Sequence, residues 1–196
     1  MKTDFFAYIS RMKYIVRWSL MRSTVQENVQ EHSHMVAVLA HALGTIRRDV
    51  FSGDCDPDAL AAIALYHDAP EILTGDLPTP IKYHSAGIKS AYDEVEDLAV
   101  EKLLAELPEE LRPAYRSLLE APKDPERYEL VKAADKLSAY IKCVEERKAG
   151  NLEFVSAEAS TRRKLEALGL PEVDYFLAHF MPGFEKNLDE LGTLEC

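Results

Sequence analysis

Disulfide frameworks, membrane spans and basic surfaces are what this sequence is short of. Its three cysteines, Cys55, Cys143 and Cys196, form no CxxC pair, and an odd number suits no closed set of bridges. A reducing, cytoplasmic setting is the expectation. No apolar run approaches the ~18 residues a membrane helix requires. The opening MKTDFFAYIS carries an acid early and lacks an apolar core, so it does not read as a signal peptide. Positive charge is scarce: 23 Lys and Arg stand against 34 Asp and Glu, and the formal net charge of -11 would repel a polyphosphate backbone. Polymeric nucleic acid is therefore a poor partner. A small anion is not excluded, because a bound divalent cation and a few arginines reverse the field locally. Internal repeats, low-complexity linkers and strand-like alternation are missing as well.

What is present is helical period and an ordinary globular composition, with 47% hydrophobic and 29% charged residues in 196. One domain over 1–196 is expected, with its motifs confined to about 15–145. In residues 25–50, Met35, Leu39, Ala42 and Ile46 run beside Val36, Ala40 and Leu43 as adjoining rows of one helix face. Both TVQE and NVQE suit its N-cap box, and either choice puts His32 in the first two turns. DPDALAAIALYHDA opens with Asp56 as N-cap and Pro57 at the first helical position and closes near Pro70, which places His67 and Asp68 in the last turn. TGDLPTP reads as a stiffened loop. Residues 85–107 return to helix along Ile88, Tyr92, Val95, Ala99 and Leu103, and PEELRPAYRSLLEA is a shorter helix. DPERYELVKAADKLSAYIKCVEERKAG runs from Asp124 and Pro125 to Gly150 with Tyr128, Val131, Ala134, Leu137, Ile141 and Val144 as its stripe. Helices over 158–169 and 172–190 complete an all-α class.

Asp135 borders that apolar stripe, and a carboxylate there needs a partner or a metal because an unpaired buried charge is very costly. Its sequence neighbours Lys132 and Lys136 do not share its face. His32, His67, Asp68 and Asp135 converging from three helices would make a mixed imidazole and carboxylate site for one divalent transition metal. The donors do not choose among Co, Mn, Zn, Ni and Fe. Glu71, one turn past Asp68, then stands where a general base for water would stand. Taken singly, each of these residues has an ordinary alternative, a core histidine or a solvated acid. His34 and His41 lie on other faces than His32.

The order His32, His67 with Asp68, then Asp135 resembles the H…HD…D pattern of HD-domain phosphohydrolases. RWSLMR (17–22), ENVQEHS (27–33), YHDAPEILTGDLPTP (66–80) and KAADKLSAYIKC (132–143) are similar to the bacterial HD-domain 5'-deoxynucleotidases. The resemblance implies an HD-domain helical bundle with additional C-terminal helices, one divalent metal, and hydrolysis of deoxyribonucleoside 5'-monophosphates by a homodimer. Dinuclear relatives need two further His before the last Asp, and only His84 lies there. Carried over by position, the resemblance makes His32, Asp68 and Asp135 substrate contacts as well as metal ligands. It gives Arg17 a contact to phosphate, with Arg22 a weaker candidate, and sets Trp18 against the sugar, where an indole would fill the space of a 2'-hydroxyl. Core packing is the plain alternative for Trp18. Asp76, Leu77, Pro78 and Thr79 would line the sugar pocket, Asp76 accepting from the 3'-hydroxyl.

The expected activity is a metal-dependent phosphomonoesterase. Two rivals use the same residues: a nucleotide pyrophosphohydrolase or triphosphohydrolase, which would need more cations than Arg17, Arg22 and Lys82, and a non-catalytic nucleotide-binding module whose metal only ties helices together.

Overall fold

The computed structural model describes residues 3–82 and 84–192, apart from the side chain of Thr79. Cys196 and the Thr79 side chain, a sugar-pocket candidate, lie outside what is described. Helices carry the architecture, and among the described residues the β structure is one antiparallel bridge, Val16 to Asn28.

Capping chemistry sets the main helices. Of the two candidate boxes before His32, the second is used: Asn28 accepts from the Glu31 amide while the Glu31 carboxylate accepts from the Asn28 amide, starting α2 (Val29–Thr45). A short N-terminal helix, α1 (Phe5–Ile9), precedes it. Asp56 caps α3 (Pro57–Tyr66) by accepting from the Ala59 amide. This helix stops a residue before His67, earlier than expected, and His67 and Asp68 lie in the tight turns that follow. Pro70 disfavours helix at Ala69, and the chain continues through three-residue hydrogen bonds such as Ala69 N–H to the Tyr66 carbonyl.

α4 (Glu71–Thr74) is a single turn closed by Gly75 at φ +73. The stiff loop then ends sooner than its two prolines suggest, in a further turn, α5 (Thr79–Lys82). α6 (Ala86–Ala105) divides its stripe: Ala99 and Leu103 are buried, whereas Ile88 and Val95 are exposed. α7 (Arg112–Leu119) leads to α8 (Pro125–Lys148), which Asp124 caps and which ends in a Schellman turn. There the amide of Gly150, at φ +85, bonds the Arg147 carbonyl and that of Asn151 the Glu146 carbonyl. α9 (Val155–Glu166) follows. The helix expected over 172–190 is broken into α10 (Pro171–His179) and α11 (Met181–Phe184), because Pro182 has no amide to donate to the preceding turn.

α2 and α3 run antiparallel, with the far end of α2 touching the start of α3. A Cβ on Gly44 would sit 2.9 Å from Leu60 Cδ1 and 3.1 Å from the Pro57 Cα, so a side chain there would force the two helices apart. The start of α2 accordingly meets the end of α3, which brings His32 beside His67. α8 packs across both helices through Val131, Ala134, Leu137 and Ile141, all in the main core with Val36, Leu43 and Ile63. A second cluster, Phe5, Ala69, Leu103, Leu104 and Leu119, fixes the turn after α3 from the other side.

Candidate active site

At the crossing of α2, α3 and α8 the predicted ligands meet. One ligand atom from each of His32, His67 and Asp135 lies within 4.8 Å of the others. Asp68 joins them, its Oδ2 3.1 Å from His67 Nε2 and 3.6 Å from His32 Nε2. The far side of each imidazole is tied down. His67 donates Nδ1–H to the Ala64 carbonyl at 2.7 Å, and His32 Nδ1 meets Ser138 Oγ at 3.2 Å. Such tethers fix the ring orientation and turn Nε2 toward the site. His32 Nε2 reaches Asp135 Oδ1 at 3.1 Å, while the buried His67 Nε2 has no well-aligned hydrogen bond. A buried acceptor left unpaired, among a second imidazole and two carboxylates, is a donor set that fits a divalent transition metal.

The charges are balanced against burial. Burial would raise the Asp68 carboxyl, but His67, His32 and Arg17 hold it down at about 2. Asp135 is also held below the usual carboxylate range, burial being outweighed by His32, His67 and Arg17. Burial and the charge of Arg17 pull His32 below an ordinary imidazole, whereas for His67 the neighbouring carboxylates of Asp68 and Asp135 overcome burial and raise it.

The segment before α2 supplies the cationic side. Arg17 Nη1 donates to Asp68 Oδ2 at 3.3 Å and its Nε to Glu27 Oε2 at 3.1 Å. The same Glu27 oxygen accepts from Trp18 Nε1 at 3.1 Å. Trp18 is half-buried, its ring 5.4 Å from that of buried Phe154, so core packing and an open face coexist. Its backbone sits at φ +58, a left-handed conformation that costs a bulky residue ~1–3 kcal/mol and is typical of functional positions.

Glu71 and Asp76 add carboxyl groups within electrostatic reach of Asp68 and Arg17. Oε2 of Glu71 is buried without a hydrogen-bond partner, and burial, then the charges of Asp68 and Asp76, push that carboxyl up to about 10. Burial likewise raises Asp76. Leu77 and Pro78 beside it are half-buried. The loop rests on α6: Tyr92 Oη lies 3.2 Å from Thr74 Oγ1 and donates to the Gly75 carbonyl, while Lys82 reaches Glu96 at 2.9 Å and lies over the Tyr92 ring. Arg22 is not brought in; its side chain is 95% exposed and pairs with Glu153. His34, His41 and His84 are exposed, and His41 pairs with Asp58.

Residues 4–184 match the family described as 5'-deoxynucleotidase YfbR-like. The chain belongs to that family. A 5'-deoxynucleotidase of Erwinia tasmaniensis is 48% identical over 191 residues, covering 97% of this chain and 96% of the relative. One from Yersinia pestis strain Pestoides F is 49% identical, covering 97% of each. Among solved structures, an HD-domain phosphohydrolase from Listeria innocua superposes with a TM-score of 0.80 at 27% identity, over 92% of this chain and 88% of that one. A cyanophage S-2L HD phosphohydrolase, bound to dA and one catalytic zinc ion, shares the fold with a TM-score of 0.62 at 22% identity, over 92% and 96%. The fold of this YfbR-like chain is the all-α HD-domain bundle.

Three polar groups at or behind the site escaped sequence reasoning. Ser138 sits one turn after Asp135 on the same face of α8, a spacing that could have revealed it. Glu27 lies in the ENVQEHS segment, yet nothing in spacing joins it to Arg17 and Trp18. A third, Glu146, anchors the segment that carries them. It is almost wholly buried and accepts from the Thr24 amide at 2.8 Å, Thr24 Oγ1 at 2.7 Å, Asn151 Nδ2 at 2.9 Å and Lys142 Nζ at 2.5 Å, while Lys142 also holds the Val25 carbonyl. Burial would raise its carboxyl, but these bonds hold it at about 2. Glu146→Ala leaves the buried Lys142 ammonium without a counter-charge, with only the Val25 carbonyl as partner, and a loss of ~3–5 kcal/mol in denaturant unfolding is expected. Because the folded pKa lies below the unfolded one, the carboxylate's contribution is complete above the ordinary glutamate pKa. It should fade as pH falls toward 2, so the wild type and the alanine variant should converge in stability in acid.

Proposed function

We propose that this chain is a metal-dependent 5'-deoxynucleotidase: it hydrolyses 2'-deoxyribonucleoside 5'-monophosphates to deoxyribonucleosides and phosphate. The observation that carries the reading is the meeting of the buried His32 and His67, one with an unpaired imidazole nitrogen, with the part-exposed Asp68 and Asp135, in the company of Arg17 and of a Glu71 carboxyl whose Oε2 is unpaired. Those four residues would hold one divalent transition metal, which would supply Lewis-acid polarisation of a phosphoryl oxygen and lower the pKa of water.

The chain's own groups do the rest. Arg17 spends its Nε on Glu27 and one Nη1 hydrogen on Asp68, which leaves its remaining N–H groups for phosphoryl oxygens, a fork suited to the charge that develops there. Glu71 takes the proton of the attacking water as its oxygen bonds to phosphorus. The P–O5' bond breaks in line, and O5' leaves with a proton returned by Glu71 or by solvent. Trp18 packs on the deoxyribose in the volume a 2'-hydroxyl would need, while Asp76, Leu77, Pro78 and Thr79 line the sugar, Asp76 accepting from the 3'-hydroxyl. Asp135, His32 and Asp68 also border the phosphate.

The longer-phosphate rival weakens because Lys82 is engaged by Glu96 and Arg22 faces solvent. A homodimer in the cytoplasm is the working form we propose. It is supported by the exposed apolar Ile88, Val95 and Leu98 of α6 and by free Cys55 and Cys143. No helix among the described residues is long and apolar enough to cross a membrane, and the net charge of -11 speaks against nucleic-acid polymers. The test is product analysis with one nucleoside offered as mono-, di- and triphosphate. Inorganic phosphate from the monophosphate with little reaction of the others is expected. Pyrophosphate or triphosphate as the main product would overturn the reading.

A further inference from the structure

We propose that Glu27 is a positioning residue which, through one carboxylate oxygen, sets the phosphate-binding arginine and the sugar-facing indole in register with each other; this rests on the nucleotidase reading above. Arg17 Nε and Trp18 Nε1 both end on Glu27 Oε2, each at 3.1 Å. Arg17 and Trp18 are adjacent in sequence but face different parts of the substrate, phosphate and sugar. A shared acceptor makes their positions interdependent. With Nε held by Glu27 and Nη1 by Asp68, the guanidinium plane is fixed at two points, so its free N–H groups are aimed before substrate arrives. Holding the indole N–H fixes the ring edge, which a left-handed backbone at Trp18 would otherwise have to set without help.

The same side chain is not what closes the segment. Backbone bonds from the Arg17 amide to the Glu27 carbonyl at 2.9 Å, and from the Val29 amide to the Ile15 carbonyl at 2.9 Å, pin its two ends, and Glu146 pins its middle at Thr24 and Val25. Glu27 also borders a solvent-open groove of about 400 Å³ between Glu31, Ser138 and Lys142. A shorter side chain at 27 would open onto that groove rather than leave a sealed void. Loss of the carboxylate should therefore disturb aim more than folding, and a neutral amide, which keeps an acceptor oxygen, should disturb it less than alanine.

The chain has one tryptophan among nine tyrosines, so emission excited beyond the tyrosine absorption band reports Trp18 alone. The experiment compares wild type, Glu27→Gln and Glu27→Ala for tryptophan emission and acrylamide quenching, thermal midpoint, and kcat and KM on matched 2'-deoxy and ribo nucleoside 5'-monophosphates. The expected pattern has three parts. In the alanine variant the emission shifts and quenching rises with little change in the thermal midpoint. Its kcat/KM on deoxynucleotide falls by ~10–100-fold, with the deoxy-to-ribo preference shrinking toward one. The glutamine variant recovers part of each change. Unchanged emission and quenching in the alanine variant would overturn the clamp. A changed indole signal with turnover and sugar preference at wild-type values would overturn the positioning role, as would losses that merely track a lowered thermal midpoint. A wild type without phosphatase activity would instead remove the nucleotidase reading and with it the role in sugar choice, and the indole readout would then decide the clamp alone.

Discussion

Glu71→Gln should retain the metal and lose ~10²–10⁴-fold in kcat. The glutamine keeps the size of the side chain and its reach into the site but can neither take nor return a proton. The sign of its effect on stability should be opposite to that of most active-site damage. In the metal-free protein, burial and the charges of Asp68 and Asp76 raise the Glu71 carboxyl to about 10. A carboxyl whose folded pKa lies above its unfolded value opposes folding increasingly as pH rises through the interval between them, because the unfolded chain sheds the proton and the folded chain keeps it. At neutral pH that penalty is on the order of 3 kcal/mol, and glutamine removes it. The metal-free variant should thus unfold at higher denaturant than the metal-free wild type, with the gap closing toward pH 4.

Glu71 must also ionise before it can act as a base, and a cation held beside it supplies the field for that. Metal uptake by the wild type should consequently release about one more proton than uptake by Glu71→Gln, a difference calorimetry in buffers of different ionisation enthalpy can read. Metal loss from Glu71→Gln would place this residue among the ligands and overturn its assignment as the base.

Asp68→Ala should lose both metal and turnover. One carboxylate oxygen serves three partners: its Oδ2 lies 3.1 Å from His67 Nε2, 3.3 Å from Arg17 Nη1 and 3.6 Å from His32 Nε2. Its carboxyl, held at about 2, is an anion across the useful pH range and helps to offset the Arg17 guanidinium and the His67 imidazole, whose pKa is raised. Without it Arg17 keeps only the Glu27 contact and is free to swing from the phosphate position, so the damage is to both charge balance and aim. Metal content by atomic spectroscopy should fall from about one per chain to the background, and phosphate release to the detection limit. Asp68→Ala protein that carries metal and turns over normally would remove Asp68 from the ligand set.

The convergence of His32, His67, Asp68 and Asp135 was legible because their residue types are expensive to bury without a purpose, and because caps fix helix phase. Asp56 with Pro57 and Asp124 with Pro125 start α3 and α8 where the sequence places them, which sets His67 at the end of one helix and Asp135 on the inner face of the other. The choice between the two boxes before His32 was not legible. Asn28 wins in a context where its neighbour Glu27 is committed to Arg17 and Trp18 and Thr24 to Glu146, partners 10, 9 and 122 residues away.

The same limit hides Glu27 itself, whose role depends on a bridge between Val16 and Asn28 that no period announces. α6 shows the converse: its stripe is regular in sequence, yet Ile88 and Val95 face solvent while Ala99 and Leu103 enter the core, because period reports a face and not what covers it. The break at Pro182 stood in the sequence as a proline without an amide to give, and there the local rule outweighed the longer amphipathic pattern.

The most direct measurement is phosphate release from matched 2'-deoxy and ribo nucleoside 5'-monophosphates, with manganese, cobalt or zinc supplied and with a chelator in parallel. Release that needs the metal and favours the deoxy form is the expected result. It would place the chemistry at His32, His67, Asp68 and Asp135 and the sugar choice at Trp18. No release from either nucleotide by protein shown to carry its metal would contradict it, and so would release at the same rate in the presence of the chelator from protein shown to be stripped of metal.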